Sequence, residues 1–309
     1  MAAESTEPPA IPRRGRNLAV AVPTALGLIA ALVASVVFSP WPFVVLVSVA
    51  LGLALRELVQ ALARTGFHVP YVPLVVGAVA TQLAAASTGE PGVVVGIFLT
   101  LAAGTLWRAL EGDYRQVDDA VHRQPASAAL AGAGSGDGPQ ARSVVQDIYA
   151  TAFATAYLPA LAALVTLLSF KHEGRWLVLL LVAIPVASDT GGYFAGSYFG
   201  KHKLAARISP NKTWEGLAGS VGLALVAGIG GMVLMDRPWY FGAILGVLGA
   251  LAATLGDLAE SLLKRAIDIK DMGHLLPGHG GVLDRVDSVL MTAPFFYVVI
   301  TLFGTEVFG

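Results

Sequence analysis

Residues 175 to 193 read Arg175-Trp-Leu-Val-Leu-Leu-Leu-Val-Ala-Ile-Pro185-Val-Ala-Ser188-Asp189-Thr-Gly-Gly-Tyr193. No charge interrupts the run from Trp176 to Ser188, and the stretch approaches the ~20 apolar residues that cross a bilayer. In hydrocarbon every backbone N–H and C=O must find its partner inside the segment, so such a run folds as a helix. Pro185 is tolerated there because neighbouring helices can satisfy the backbone groups it frees. The run ends on a carboxylate, two hydroxyls and two glycines, and polar groups at the end of a membrane helix are costly enough to mark function.

Eight further blocks have the same character. The nine together lie at 18–38, 42–62, 70–87, 92–110, 148–169, 175–193, 217–235, 239–262 and 288–308. The spacing predicts an all-α, polytopic integral membrane protein with about nine transmembrane helices. Over 309 residues, 55% are hydrophobic and only 13% charged, against about 25% charged in a soluble domain. A single cleaved leader does not explain apolar blocks repeated along the whole chain. There is no cysteine, which excludes disulfides, thiolate metal sites and a cysteine nucleophile.

Charge placement orients the chain. With a cytoplasmic N-terminus, Lys171, Arg175 and Arg237 lie outside and the other seventeen of the 20 Lys and Arg lie inside, as the positive-inside rule requires. The C-terminus is then outside. Residues 1–17, with Pro8, Pro9, Pro12, Arg13, Arg14 and Arg16, read as a disordered basic cytoplasmic tail. Residues 18–110 hold helices 1 to 4 and residues 148–309 a catalytic region of helices 5 to 9. Between them, 111–147 reads as a flexible cytoplasmic loop, with an Ala/Gly/Ser run from Ala126 to Gly138. The pair Asp118 and Asp119 in it reads as a solvated acidic turn.

Two cytoplasmic segments carry the chemistry. In the first, Ser209-Pro210-Asn211-Lys212-Thr213-Trp214-Glu215-Gly216 resembles a helix start, and a helix N-terminus beside a lysine is a ready anion site. A basic loop facing anionic headgroups explains the same residues equally well. In the second, Asp257, Ser261 and Lys264 or Arg265 share one face at the end of the eighth span, and Asp284 and Asp287, three apart, share a face at the start of the ninth. Carboxylates near a helix N-terminus are favoured by its dipole. The sharper reading is an all-oxygen Mg²⁺ site of Asp257 and Asp284, with the neighbouring Lys and Arg holding phosphates. Pro277 and Gly278 set a turn, and the glycines around His279 let backbone approach a ligand closely.

Zinc is a poor reading, because His274 and His279 are five apart in a loop and there is no HExxH. His279 suits positioning a phosphate or shuttling a proton. The five tryptophans fall near span ends, where aromatic belts belong.

The run Ser261-x-Leu263-Lys264-Arg265-x4-Lys270-Asp271-x-Gly273-x2-Leu276-Pro277-x-His279-Gly280-Gly281-Val282-x-Asp284-Arg285-Val286-Asp287 resembles the complete signature of the phosphatidate cytidylyltransferases, also called CDP-diacylglycerol synthases. Gly256-Asp257, the 209–216 block and the stretch from Ser188-Asp189 to Gly200-Lys201 match further blocks of that family. The resemblance covers roughly residues 150–309. The N-terminal half is similar only in hydropathy and in the pair Arg56-Glu57, and the tail and the 111–147 insert look peculiar to this chain.

The resemblance implies conversion of CTP and phosphatidate to CDP-diacylglycerol and pyrophosphate, with Mg²⁺ and a monovalent cation such as K⁺, at the cytoplasmic side of the cell membrane. It implies Asp257, Lys264, Asp284 and Asp287 as catalytic residues, with Asp257, Asp284 and Asp287 holding metal. It implies substrate contacts from Ser188, Asp189, Ser209, Asn211, Lys212, Thr213, Glu215, Ser261, Arg265, Lys270, Asp271, His279, Gly280, Gly281 and Arg285. It also implies a homodimer among membrane lipids, with no nucleic-acid partner.

Two rivals fit less well. A CDP-alcohol phosphotransferase would carry an Asp-Gly-x2-Ala-Arg block, which is absent. A transporter with broken helices would place polar groups near mid-bilayer in both halves, whereas here they gather at one side in one half.

Overall fold

The structure, a computed structural model, describes residues 18–122, 143–273, 275–276 and 280–308. Among them are nine helices: α1 (Leu18–Phe38), α2 (Pro40–Arg64), α3 (Tyr71–Thr88), α4 (Glu90–His122), α5 (Val144–Ser169), α6 (Gly174–Phe199), α7 (Trp214–Leu234), α8 (Trp239–Ala266) and α9 (Leu283–Phe308). Helices α2 to α9 are long and apolar enough to cross a membrane, and Val22–Phe38 of α1 forms a shorter apolar helix. The all-α membrane architecture expected from the apolar blocks is the one observed.

The boundaries differ in instructive ways. α4 runs past the expected boundary at 110 to His122, so Asp113, Asp118 and Asp119 lie on a helix and not in a loop. The tail 1–17 and the Ala126–Gly138 run lie outside the described residues. Ser209-Pro210 is not a helix start. Ser209–Thr213 is a strand, β2, paired antiparallel with β1 (Lys203–Ala205), Ala205 opposite Ser209 and Lys203 opposite Thr213. Pro210 biases Ser209 toward extended backbone, and a two-stranded ribbon has only edges, where the missing proline N–H does no harm. The helix begins after Thr213, whose Oγ1 accepts the Gly216 amide at 3.0 Å as an N-cap.

α5 is the central post of the bundle. Well over half of its span is buried, whereas most of α7 faces outward. A capping box of Ser143 and Gln146 starts it. At Ala156–Ala160 it opens into a π-turn around Pro159, which has no N–H to give to a carbonyl one turn earlier. The turn is pinned from α3: Gln82 Nε2 donates to the Pro159 carbonyl at 3.2 Å, and the Thr166 hydroxyl donates to Gln82 Oε1 at 2.6 Å.

α7 and α8 touch backbone to backbone, since a Cβ on Gly228 would collide with the Gly242 carbonyl. α8 and α9 lie side by side and antiparallel, so the last turns of α8 face the first turn of α9. β2, through Lys212, and Met272 and Gly281 of the connection after α8 belong to that same end of the bundle.

Candidate active site

Asp257, Glu260 and Lys264 sit three and four positions apart on α8, a spacing that puts them on one helical face. Carboxylate oxygens of Asp257, Glu260 and Asp287, the last from α9, lie within 4.8 Å of one another. Glu260 and Asp287 are only 2% and 4% exposed. Carboxylates this close, two of them buried and Asp257 partly exposed, repel one another, and a bound cation or a proton relieves the repulsion.

Two lysines answer part of that charge. Lys264 Nζ lies 2.9 Å from Glu260 Oε2 and 2.9 Å from Asp284 Oδ1. Lys212, carried in from β2, lies 2.5 Å from Asp257 Oδ2. Two ammonium groups answer four carboxylates, so the group has room for a further cation. Glu260 Oε1 is buried and accepts no hydrogen bond among the described residues. All the donors are oxygens, which suits a hard cation such as Mg²⁺.

Asp284, expected beside Asp257 among the metal ligands, is engaged differently. Its Oδ2 accepts the amides of Met272 and Gly281 at 3.2 and 3.0 Å, and its Oδ1 meets Lys264. It therefore ties Met272 and Gly281 to the first turn of α9, and Glu260 stands with Asp257 and Asp287 in the close group. Glu57 of α2 reaches Gly273, Gly281 and Leu283 at the same place. Its Oε2 accepts the Leu283 amide at 2.9 Å, and a Cβ on Gly281 would come within 2.6 Å of that oxygen.

Cavities open on both sides of the carboxylates. A polar one of about 280 Å³ is lined by Asp189, Ser209, Asn211, Lys212, Thr213 and Asp257, among others. An apolar one of about 600 Å³ is lined by Phe153, Tyr157, Leu161, Leu263, Met291 and, at one wall, Glu260. Asp257 thus borders the polar space and Glu260 the apolar one.

Several expected site residues also make structural contacts. Ser188 is buried, and its carbonyl accepts the Ser220 hydroxyl at 2.8 Å. Glu215 accepts the amides of Lys201 and His202 at 3.1 and 3.2 Å and faces His202 Nδ1 at 2.6 Å, which fixes the start of the hairpin. Thr213 both caps α7 and borders the polar cavity. Ser261 is half-buried on α8, while Arg265, Lys270, Asp271 and Arg285 are exposed. Gly280 takes a left-handed φ of 82° that a side chain would strain. His279 lies outside the described residues.

Glu260, Glu57 and Tyr157 were not singled out as site residues from the sequence. For Glu260 the signal was present, three after Asp257 and four before Lys264. For Glu57 it was only an acid in an apolar block, and for Tyr157 there was none beyond the nearby proline.

A profile described as the cytidylyltransferase family matches residues 19–303 of the chain. The chain is 39% identical over 297 residues to a phosphatidate cytidylyltransferase of Mycobacterium leprae, covering 94% of this chain and 90% of that protein. It is 36% identical over 293 residues to one of Mycobacterium bovis, with the same coverage of 94% and 90%. A phosphatidate cytidylyltransferase of Bacillus subtilis is 47% identical over a shorter stretch of 120 residues, 38% of this chain and 45% of that protein.

Proposed function

The chain belongs to the cytidylyltransferase family, and we propose that it transfers the cytidylyl group of CTP to phosphatidate, giving CDP-diacylglycerol and pyrophosphate, at the cytoplasmic face of the cell membrane. The observation that carries the reading is the carboxylate group standing between a polar and an apolar cavity, because the two substrates differ in that same way. A nucleotide triphosphate suits the space lined by Lys212, Ser209 and Asn211, and a diacyl lipid suits the one lined by Phe153, Leu161 and Met291. Lateral access spares the lipid a passage through water, which costs ~0.8 kcal/mol per CH₂.

In the reaction a phosphatidate phosphate oxygen attacks the α-phosphorus of CTP. A P–O bond forms there, the bond to the β-phosphate bridging oxygen breaks, and pyrophosphate leaves with the electron pair. No covalent enzyme intermediate is needed, which agrees with a chain that has no cysteine. The protein's part is to hold two anions in line and balance the charge that grows on the leaving group.

Asp257, Glu260 and Asp287 would hold Mg²⁺, which when bound supplies positive charge to the phosphates. A monovalent cation such as K⁺ beside it belongs to the same proposal. Asp284 holds Lys264 and the amides of Met272 and Gly281 in place. Lys212 faces triphosphate from the hairpin, and Asp189 borders the same space from α6. Arg265, Lys270 and Arg285, all exposed, draw the doubly negative lipid headgroup inward. The concentration of Lys and Arg in the connections at this end supports a cytoplasmic location. Likeness to the family supports a homodimer.

The test is conversion of radiolabelled CTP to chloroform-soluble lipid by the purified protein, with and without phosphatidate and Mg²⁺. Product that requires both additions is expected. No product from folded protein in a suitable lipid mixture would overturn the reading.

A further inference from the structure

The π-turn in α5 has a chemical consequence at the apolar cavity. Tyr157 is the second of its five residues, and its ring stacks on Phe153 with centroids 5.6 Å apart and planes 17° from parallel. The ring lines the cavity. The hydroxyl oxygen is buried and, among the described residues, has no hydrogen-bond partner. Burying a phenol without a hydrogen-bond partner is unfavourable, so the hydroxyl is poised to take one. Single π-turns inside α-helices are frequent at functional sites.

One other buried oxygen without a hydrogen bond borders this cavity, Glu260 Oε1. The remaining lining is apolar: Phe153, Leu161, Leu262, Leu263 and Met291 are its larger members. So a greasy cavity offers one donor, Tyr157 O–H, on the wall that also carries a member of the carboxylate group. A ligand matching it has apolar chains and an oxygen-rich anionic head.

We infer that Tyr157 binds the lipid substrate, its hydroxyl donating a hydrogen bond to a phosphate oxygen of phosphatidate while the acyl chains occupy the cavity. The inference rests on the cytidylyltransferase reading. A donor bound to an anion makes a charge-assisted hydrogen bond, about twice as strong as a neutral one. Tyr157 touches the nucleophilic substrate and makes no contact with the nucleotide, so its effect is confined to one of the two KM values.

The test is Tyr157→Phe, which keeps the stack on Phe153 and removes only the hydroxyl. Initial rates are measured in mixed micelles against the surface fraction of phosphatidate, and separately against CTP. The apparent KM for phosphatidate should rise about tenfold, the effect of one such bond, with the KM for CTP unchanged. An ether-linked phosphatidate, which lacks ester carbonyls, should show the same tenfold rise. A rise seen only with the diester lipid would assign the hydroxyl to a carbonyl and overturn the phosphate contact.

Unchanged kinetics, or an equal rise in both KM values, would overturn the inference altogether. A binding measurement without chemistry accompanies the rates. Phosphatidate should raise the unfolding temperature of the wild-type protein more than that of the variant, and equal shifts count against the contact. Wild-type protein that makes no CDP-lipid would refute the parent reading, an outcome distinct from an active enzyme indifferent to the substitution.

Discussion

Lys264 Nζ and Asp284 Oδ1 stand 2.9 Å apart across the α8–α9 seam, and the same ammonium meets Glu260 Oε2 at 2.9 Å. One cation therefore joins the end of one helix to the start of the next. Replacing it with an apolar residue of similar length, Lys264→Met, leaves two little-exposed carboxylates facing each other. Breaking such a pair costs about 3 kcal/mol or more. The unfolding temperature of the purified variant should drop by several degrees and turnover should vanish; unchanged thermal stability would show the pair to be incidental.

The close carboxylate group makes a graded prediction for magnesium. Asp257→Asn, Glu260→Gln and Asp287→Asn each remove one oxygen charge from the group. Each should lower the rate on the order of 100-fold, the scale of losing one electrostatic stabiliser, and shift the Mg²⁺ titration of the rate to higher concentration. Asp284→Asn should lose activity with a smaller shift in that titration, because Asp284 serves Lys264 and two amides. A Glu260→Gln enzyme with normal rate and magnesium response would remove Glu260 from the site.

Gly281 has no room to grow. An added Cβ would lie 2.6 Å from Glu57 Oε2 and 2.9 Å from Asp284 Oδ2. Gly281→Ala should displace the turn that holds Asp284, at a cost of about 1–3 kcal/mol. The expected result is loss of turnover with the helical circular dichroism intact. Wild-type rates from that variant would mean the turn tolerates displacement.

Away from the reaction, Asp147 of α5 is 1% exposed and holds three elements together. Its Oδ2 meets Arg108 of α4 at 2.6 Å, and its Oδ1 accepts the His68 amide at 2.8 Å. Arg108→Met strands a buried charge and should destabilise by about 3–5 kcal/mol. Arg108→Met with Asp147→Leu should recover part of that loss in a double-variant comparison of unfolding temperatures. Strict additivity of the two changes would show that the residues do not interact.

The spans were legible because hydrocarbon leaves a chain no alternative to helix, and the pair Asp284 and Asp287 was legible because three positions on a helix is one face. Glu260 was harder. Asp257, Ser261 and Lys264 lie on one stripe of α8, but so do Asp257, Glu260 and Lys264, and a stripe roughly 100° wide admits both. Packing against α9 decides for Glu260. The hairpin at 203–213 carries no alternating apolar pattern, so nothing local announced a strand before α7. Glu57 stood out as half of the Arg56-Glu57 pair, but its role was not legible, since its partner amide is far along the chain and only the assembled bundle brings them together. A proline in a membrane helix is tolerated, so Pro159 alone announced neither the π-turn nor the direction in which it turns Tyr157.

The Glu57–Leu283 bond also has a history in time. Its two ends are 226 positions apart, and synthesis at about 5–20 residues per second separates their emergence by on the order of 10 to 45 s. Throughout that interval α2 carries an acid whose eventual amide partner has not yet been made, in surroundings that penalise a bare carboxylate. A ribosome halted just before Leu283 would leave a chain with eight helices made, Asp257 and Glu260 present, and neither Asp284 nor Asp287 yet in existence. The enzyme's working parts are therefore completed by its last helix, and no shortened nascent chain holds a finished site.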